Sequence, residues 1–258
     1  MESRIIVTDL DRTLLRTDKT ISAFSADVFN RCIERGIHVV FATARPMRTI
    51  LHYREQIPAE ALILHNGAII VCGTETIFHS GIEPDVAKHI LCAIAADHPQ
   101  ATLSVEINDT LYANFDVPED WNASKAVMTD FNDLPPFPAD KIIIGVSSAD
   151  DMKRYNRYVP EHLYLELSSG KLGLIMNRSA SKAGALRTLA GHCGWKLSDM
   201  TAFGDDCNDR EMLRDCGTGV AMQNALDEIK ESADHICGDN DNDGVARWLL
   251  TNVLKERT

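Results

Sequence analysis

Short apolar runs of strand length alternate with helix-length amphipathic segments at both ends of this 258-residue chain, and the alternation changes character in between. Few folds accommodate such a pattern. Consecutive parallel strands need a crossover, normally a helix, that packs back onto the sheet. Ile5 to Thr8 reads as a strand and Ser22 to Arg35 as a helix, with Ser22 as N-cap and Gly36 as its stop. His38 to Ala42 is the next strand, Pro46 to Gln56 a helix opened by proline, and Ala61 to Leu64 a third strand. Toward the other end, Ala183 to Cys193, Asp209 to Cys216, Asn224 to Glu231 and Val245 to Leu254 read as helices. Met200 to Phe203, Gly219 to Ala221 and Asp234 to Cys237 read as the strands among them. The fold class expected is α/β, with a Rossmann-like parallel-sheet core.

The middle has another register. Pro84 to Asp97 is helical in pattern, Ala101 to Glu106 and Leu111 to Ala113 form a strand pair, and Pro118 to Met128 is expected to be helical. After Pro135, Pro136 and Pro138 come a strand at Lys141 to Val146 and a helix at Asp150 to Tyr158. A hairpin follows, Leu163 to Leu167 and Lys171 to Met176, turning at Ser169-Gly170. The segment has apolar residues of its own but no clustered acids. The domain boundaries expected are therefore a core of 1–80 with 178–258, and an inserted α/β domain of 81–177.

Asp9-Leu10-Asp11-Arg12-Thr13-Leu14 directly follows the first strand. In open α/β sheets the ligand site lies beyond the carboxyl ends of the strands, so this is where chemistry is expected. Asp9 could instead cap a turn and Asp11 start a helix, both common places for Asp. Candidate partners at similar positions are Thr43, Lys182 and the run Gly204-Asp205-Asp206-Cys207-Asn208-Asp209.

A net charge of −12 argues against nucleic acid as a partner, since that needs many clustered cations. It also means that an anionic substrate needs a local cation. No apolar stretch approaches the roughly 20 residues of a bilayer span, and the first residues lack a signal-peptide pattern. Seven Cys without a Cys-x-x-Cys pair suggest reduced thiols and a cytoplasmic protein.

These motifs resemble those of the haloacid dehalogenase-like phosphohydrolases, specifically the Cof-like sugar-phosphatase branch. The first motif is Asp9 to Leu14, the second Thr43-Ala44-Arg45-Pro46, the third Lys182 and the fourth Gly204 to Asp209. Asn66-Gly67-Ala68, Gly219 to Ala225 and Asn242 to Ala246 also match that branch. The resemblance implies an HAD-like core, an α/β cap inserted between the second and third motifs, and magnesium-dependent hydrolysis of a small phosphorylated metabolite, with a sugar phosphate as the expected substrate. Within it, Asp9 is the expected nucleophile, forming an aspartyl-phosphate, and Asp11 the general acid and base. Acid crowding is expected to raise the pKa of Asp11 above about 4. Asp9 and Asp205 are the expected side-chain ligands of Mg²⁺, joined by the Asp11 carbonyl. Asp209 stands behind them, as does Asp206 unless it is itself a ligand. Lys182 supplies fixed positive charge, while Leu10, Thr43, Ala44 and Asn208 offer donors to the phosphate. Arg45 can grip phosphate, bind a sugar hydroxyl, or pair with an acid near Asp11.

Three positions depart from the family pattern: Arg12, Ala44 and Ala183 stand where glycine is usual. Glu166, Lys171 and Arg178 are candidates to line the substrate entrance. A phosphosugar mutase of the phosphomannomutase type is the alternative enzyme, and a ligand-sensing domain without catalysis the alternative outside enzymology. The oligomeric state is not legible.

Overall fold

The computed structural model describes residues 4–118, 121, 126–168 and 170–256. The chain divides into two compact units, Met1–His79 with Ser181–Thr258, and Ser80–Ala180.

In the first unit, β1 (Ile5–Thr8), β2 (His38–Ala42) and β3 (Ala61–Leu64) are nearly continuous apolar runs and are buried. Strands of a parallel sheet covered on both faces have this composition. They join β12 (Met200–Gly204), β13 (Thr218–Ala221) and β14 (His235–Ile236) in the order β14-β13-β12-β1-β2-β3, all parallel. The sheet continues through an antiparallel pair, β4 (Ile69–Cys72) and β5 (Glu75–His79), making eight strands among the described residues. Helix α1 (Ala23–Glu34) is capped by Ser22, whose hydroxyl accepts from the Ser25 amide. It buries Ser25, Val28, Phe29 and Cys32, a helical spacing that aims one face at the sheet. Each fully buried Val or Phe there contributes about 1.5–3 kcal/mol.

Two expected elements take other forms here. Pro46 to Gln56 is not one helix: Pro46 is extended, a single tight turn spans Met47–Thr49, and α2 is only Leu51–Gln56. The Thr49 hydroxyl bonds the Pro46 carbonyl, closing the turn locally in place of a long helix. The expected helix of Asn224 to Glu231 reduces to α7, Asp227–Lys230.

In the second unit, α3 (Pro84–Asp97) and α4 (Ala149–Lys153) accompany a six-stranded sheet of order β10-β11-β9-β6-β7-β8. The strands are β6 (Leu103–Ile107), β7 (Thr110–Ala113), β8 (Ala126–Met128), β9 (Lys141–Gly145), β10 (Leu163–Ser168) and β11 (Leu172–Asn177). All pairings are antiparallel except β7 with β8. The end of the expected helix Pro118 to Met128 is thus a strand, while residues 119–120 and 122–125 lie outside the described residues, as does Ser169 of the expected turn. Ala87, Ile90, Leu91 and Ile94 of α3 share one apolar core with Leu103, Val105, Ile107, Ile142 and Ile144. Glu106, Asp140 and Lys141 are buried too, with Glu106 directly opposite Lys141 across β6 and β9. The unit therefore carries buried charge that its hydropathy did not announce.

The two ends of this unit meet. The Asn177 amide donates to the Gly81 carbonyl at 3.2 Å, and the Ser80 and Ser179 hydroxyls are hydrogen-bonded.

Candidate active site

Residue pairing in the parallel sheet decides which side chains converge. Thr8 lies beside Phe41 and Phe203, so the residues after β1, β2 and β12 leave the sheet side by side: Asp9, Thr43 and Asp205. The Asp9 amide still bonds the Phe203 carbonyl at 3.0 Å, which anchors it to the sheet edge.

Asp9, Asp205 and Asp209 are all buried, and one carboxylate oxygen from each lies within 4.8 Å of the others. Lys182, at the start of α5 (Lys182–Cys193), reaches this group with its Nζ 2.7 Å from Asp9 Oδ1 and 2.6 Å from Asp209 Oδ1. It is 1% exposed. Burial opposes its charge, but Asp209 and Asp9 together hold the ammonium protonated beyond its usual range. One ammonium does not balance three acids. Burial drives Asp9 well above the usual carboxylate range, with Lys182 opposing and Asp209 and Asp205 adding to it. Burial, then Asp209, lifts Asp205 to about 7 against the pull of Arg12 and Thr13. Such crowding is the electrostatic setting in which a hard divalent cation with oxygen ligands is stabilising.

Local chain geometry holds the parts in place. The Ser181 hydroxyl accepts the Gly184 amide, starting α5 at Lys182. Gly67 packs against Ser181 so closely that a Cβ would sit 2.3 Å from its carbonyl oxygen, and its φ is +104°. Asp209 Oδ2 accepts the amides of Asp205 and Asp206 at 3.0 and 3.2 Å. Its side chain lies over Gly204, where a Cβ would be 2.5 Å from it. Asp206 is exposed and caps this turn through the Cys207 amide, forming a capping box with Asp209. With both its oxygens engaged, Asp209 orients Lys182 and the loop, and the cap leaves Asp206 outside the cluster.

Asp11 departs from expectation. Its carboxylate is not among the clustered acids; it takes a two-pronged bond from Arg45, 2.7 Å to each oxygen, and a 2.8 Å bond from Lys19. Burial raises its pKa, but Arg45 and then Lys19 outweigh burial and hold it at about 2. The raised value expected from acid crowding is therefore corrected, because the nearest charges are cations. Of the three options for Arg45, the structure has the pairing with an acid, and Arg45 also lies over the Tyr53 ring at 5.6 Å.

Thr43 is fully buried and its Oγ1 accepts the Arg45 amide at 3.2 Å. Ala44 is partly buried and Leu10 fully so. The Asn208 side-chain amide donates to Asn66 Oδ1 at 2.9 Å, and its own Oδ1 is buried without a partner among the described residues. Asn66, at φ +55°, thus joins the site, a role its sequence neighbours alone did not assign. The signal for Asp209 was present in the sequence as Asp206-x-x-Asp209 after a strand, a capping pattern.

Arg12 adopts φ +61°, a region that favours glycine. Its guanidinium donates to the Asn224 carbonyl at 3.1 Å, and the Asn224 side chain donates back to the Arg12 carbonyl at 2.8 Å. Arg12 Nε lies 3.6 Å from Asp205 Oδ2. Ala183, the third departure, is buried within α5. In the other unit, Glu166 is half-buried on β10, Lys171 is exposed, and Arg178 is exposed with its Nε bonded to the Glu161 carbonyl at 2.6 Å.

Comparison with known proteins gives a consistent picture. A family described as haloacid dehalogenase-like hydrolase matches residues 6–249. A Haemophilus influenzae protein provisionally named a phosphatase is 30% identical over 260 residues, covering 96% of this chain and 98% of that protein. A 5-amino-6-(5-phospho-D-ribitylamino)uracil phosphatase of Bacillus subtilis is 26% identical over 261 residues, covering 95% of this chain and 96% of that protein. The crystal structure of a haloacid dehalogenase-like hydrolase from Bacteroides thetaiotaomicron superposes with a TM-score of 0.87 at 24% identity, covering 96% of this chain and 99% of that one.

Proposed function

This chain belongs to the haloacid dehalogenase-like hydrolases and is a phosphoric monoester hydrolase, and from that premise we propose that it dephosphorylates a small metabolite, a sugar or sugar-alcohol phosphate, through Asp9. The single observation carrying the mechanism is Asp9 at the end of β1, bonded to Lys182 at 2.7 Å among two further buried acids. Attack of the Asp9 carboxylate on phosphorus forms an aspartyl-phosphate and releases the alkoxide, and water then cleaves the acyl phosphate to restore Asp9. Lys182 offsets the charge gathering on the phosphoryl oxygens. The Thr43 hydroxyl and the amides of Leu10 and Ala44 are proposed as further donors to them.

The chemistry of the donor set fits magnesium: all the converging groups are carboxylate oxygens, and no thiol or imidazole is among them. Asp9 and Asp205 would hold the ion, with the Asp11 carbonyl beside them. Bound there, it would neutralise the phosphate and keep Asp9 ionised at neutral pH. With Arg45 and Lys19 attached, Asp11 is an ionised but weakly basic carboxylate, and it becomes a competent base toward water only as those bonds loosen. To donate a proton to the leaving group, it must first let go of both cations.

The Bacillus subtilis relative is named for a substrate that carries a phosphorylated ribityl chain, which supports a polyhydroxylated leaving group. We assign substrate selection to the inserted unit as a cap. The test is phosphate release from an aryl phosphate with magnesium, followed by a panel of sugar phosphates. Asp9→Asn is expected to lower turnover by at least about 10³-fold while the protein stays folded; turnover near wild type in that variant removes the mechanism.

A further inference from the structure

The acid cluster contains an imbalance that the reaction does not explain. Lys182 serves Asp9 and Asp209, each within 2.7 Å. Asp205 is paired differently: Thr13 Oγ1 donates to its Oδ1 at 3.1 Å, and the cation beside its Oδ2 is Arg12, at 3.6 Å. The Asp205 side chain is 4% exposed and that of Arg12 is 59% exposed. The guanidinium thus lies on the solvent side of a buried carboxylate.

Arg12 is held there at a conformational cost. A φ of +61° is disfavoured for a side chain of this size, on the order of 1 kcal/mol. The reciprocal bonds with Asn224 fasten both the main chain and the guanidinium in that position. The fastening extends further: Asn224 Oδ1 accepts the Asn240 amide at 3.0 Å, and the Asn240 side chain donates to the Leu15 carbonyl at 3.0 Å. Two asparagines from the C-terminal part of the chain therefore clamp the loop that follows β1. This gives a role to the Gly219 to Ala225 segment.

We propose that Arg12 is the resident counter-ion of Asp205, clamped in place by Asn224, and that a divalent cation binds only in competition with it. Arg12 then sets how tightly the site takes up magnesium. It is a positioning residue acting through Asp205, and the proposal rests on the reading of Asp205 as a metal ligand.

The experiment is calorimetric titration of the full chain with magnesium chloride and no substrate, so its readout is binding and not turnover. Arg12→Gln removes the charge but keeps the strained backbone position; Arg12→Gly removes both; Arg12→Lys keeps a charge. A unit charge displaced to roughly 6–8 Å from a divalent ion in well-solvated surroundings alters binding by about five- to tenfold. Arg12→Gln and Arg12→Gly are therefore expected to bind magnesium about five- to tenfold more tightly than wild type, and Arg12→Lys close to wild type. The gap between Arg12→Gln and wild type is expected to narrow as monovalent salt is raised. Unchanged or weaker binding by Arg12→Gln overturns the proposal, even if Arg12→Gly tightens, because relief of backbone strain then accounts for the gain. If wild type itself takes up no magnesium, the metal reading of Asp205 fails and this inference fails with it, an outcome distinct from binding that Arg12 does not affect.

Discussion

In the unit formed by Met1–His79 and Ser181–Thr258, six neighbouring strands run parallel, so their carboxyl ends gather on one edge and residues far apart in sequence converge. In Ser80–Ala180 nearly every neighbour is antiparallel, so successive strands end on opposite edges. Both units bury charge, but differently. The parallel sheet collects Asp9, Asp205 and Asp209 with Lys182 and the guanidinium of Arg12, three acids to two cations. The antiparallel sheet sets Glu106 opposite Lys141 within the ladder, with Asp140 buried next to Lys141 in the chain. Strand direction thus separates acids that converge from different strands at one edge from buried charge set within the ladder.

The largest effect expected from this contrast is at Lys182. Lys182→Ala leaves two buried carboxylates without their cation and is expected to cost about 3–5 kcal/mol, read by urea unfolding, together with loss of turnover. A variant as stable as wild type would break the comparison at its root. Next is Leu91, fully buried on α3 of the inserted unit. Leu91→Ala is expected to cost about 2–5 kcal/mol in unfolding. Yet kcat for a small aryl phosphate should be unchanged in the folded protein; a fall in kcat would mean that packing and chemistry are not divided between the units.

The smallest concerns Asp243, where Arg16 donates at 2.9 Å and Ser25 at 3.2 Å. Burial raises its pKa, but bonds from Ser22, Arg16 and Ser25 outweigh this and lower it. A lowered carboxylate pKa stabilises the fold above the unfolded value of about 3.9, and that stabilisation is lost as pH falls through the folded value. Asp243→Asn keeps a residue that tolerates the φ of +57° and removes the charge. It is expected to cost up to about 1 kcal/mol at pH 7 and progressively less in acid below pH 4, measured by thermal unfolding across that range. A constant difference at every pH would assign the effect to shape and not to charge.

Much of the parallel sheet was legible because β1, β2, β3 and β12 are apolar runs of strand length, and the acids stand where such runs stop. The β4–β5 hairpin went unread because β5 is largely exposed and its register is broken by a bulge, so no clean alternation marks it. The turn at Met47–Thr49 was hidden by the helical look of the residues after Pro46. At the site, which residues stand at strand ends could be read, but not which partner each one takes. Asp11 and Arg45 are 34 positions apart, and nothing in their spacing favours that pairing over a bond to phosphate. The left-handed conformation of Arg12 was likewise invisible, since its support comes from Asn224, 212 positions away.

The contacts joining Gly81 to Asn177 and Ser80 to Ser179 bring the inserted segment out and back through one narrow stem. Loop-closure entropy grows only logarithmically with length, so what lies beyond such a stem can be lengthened, shortened or exchanged at small thermodynamic expense to the sheet that carries it. For protein engineering, the stem is a splice point: a different insert whose ends are similarly spaced could be grafted there, and a change of selectivity with the insert would test the proposed role of this unit.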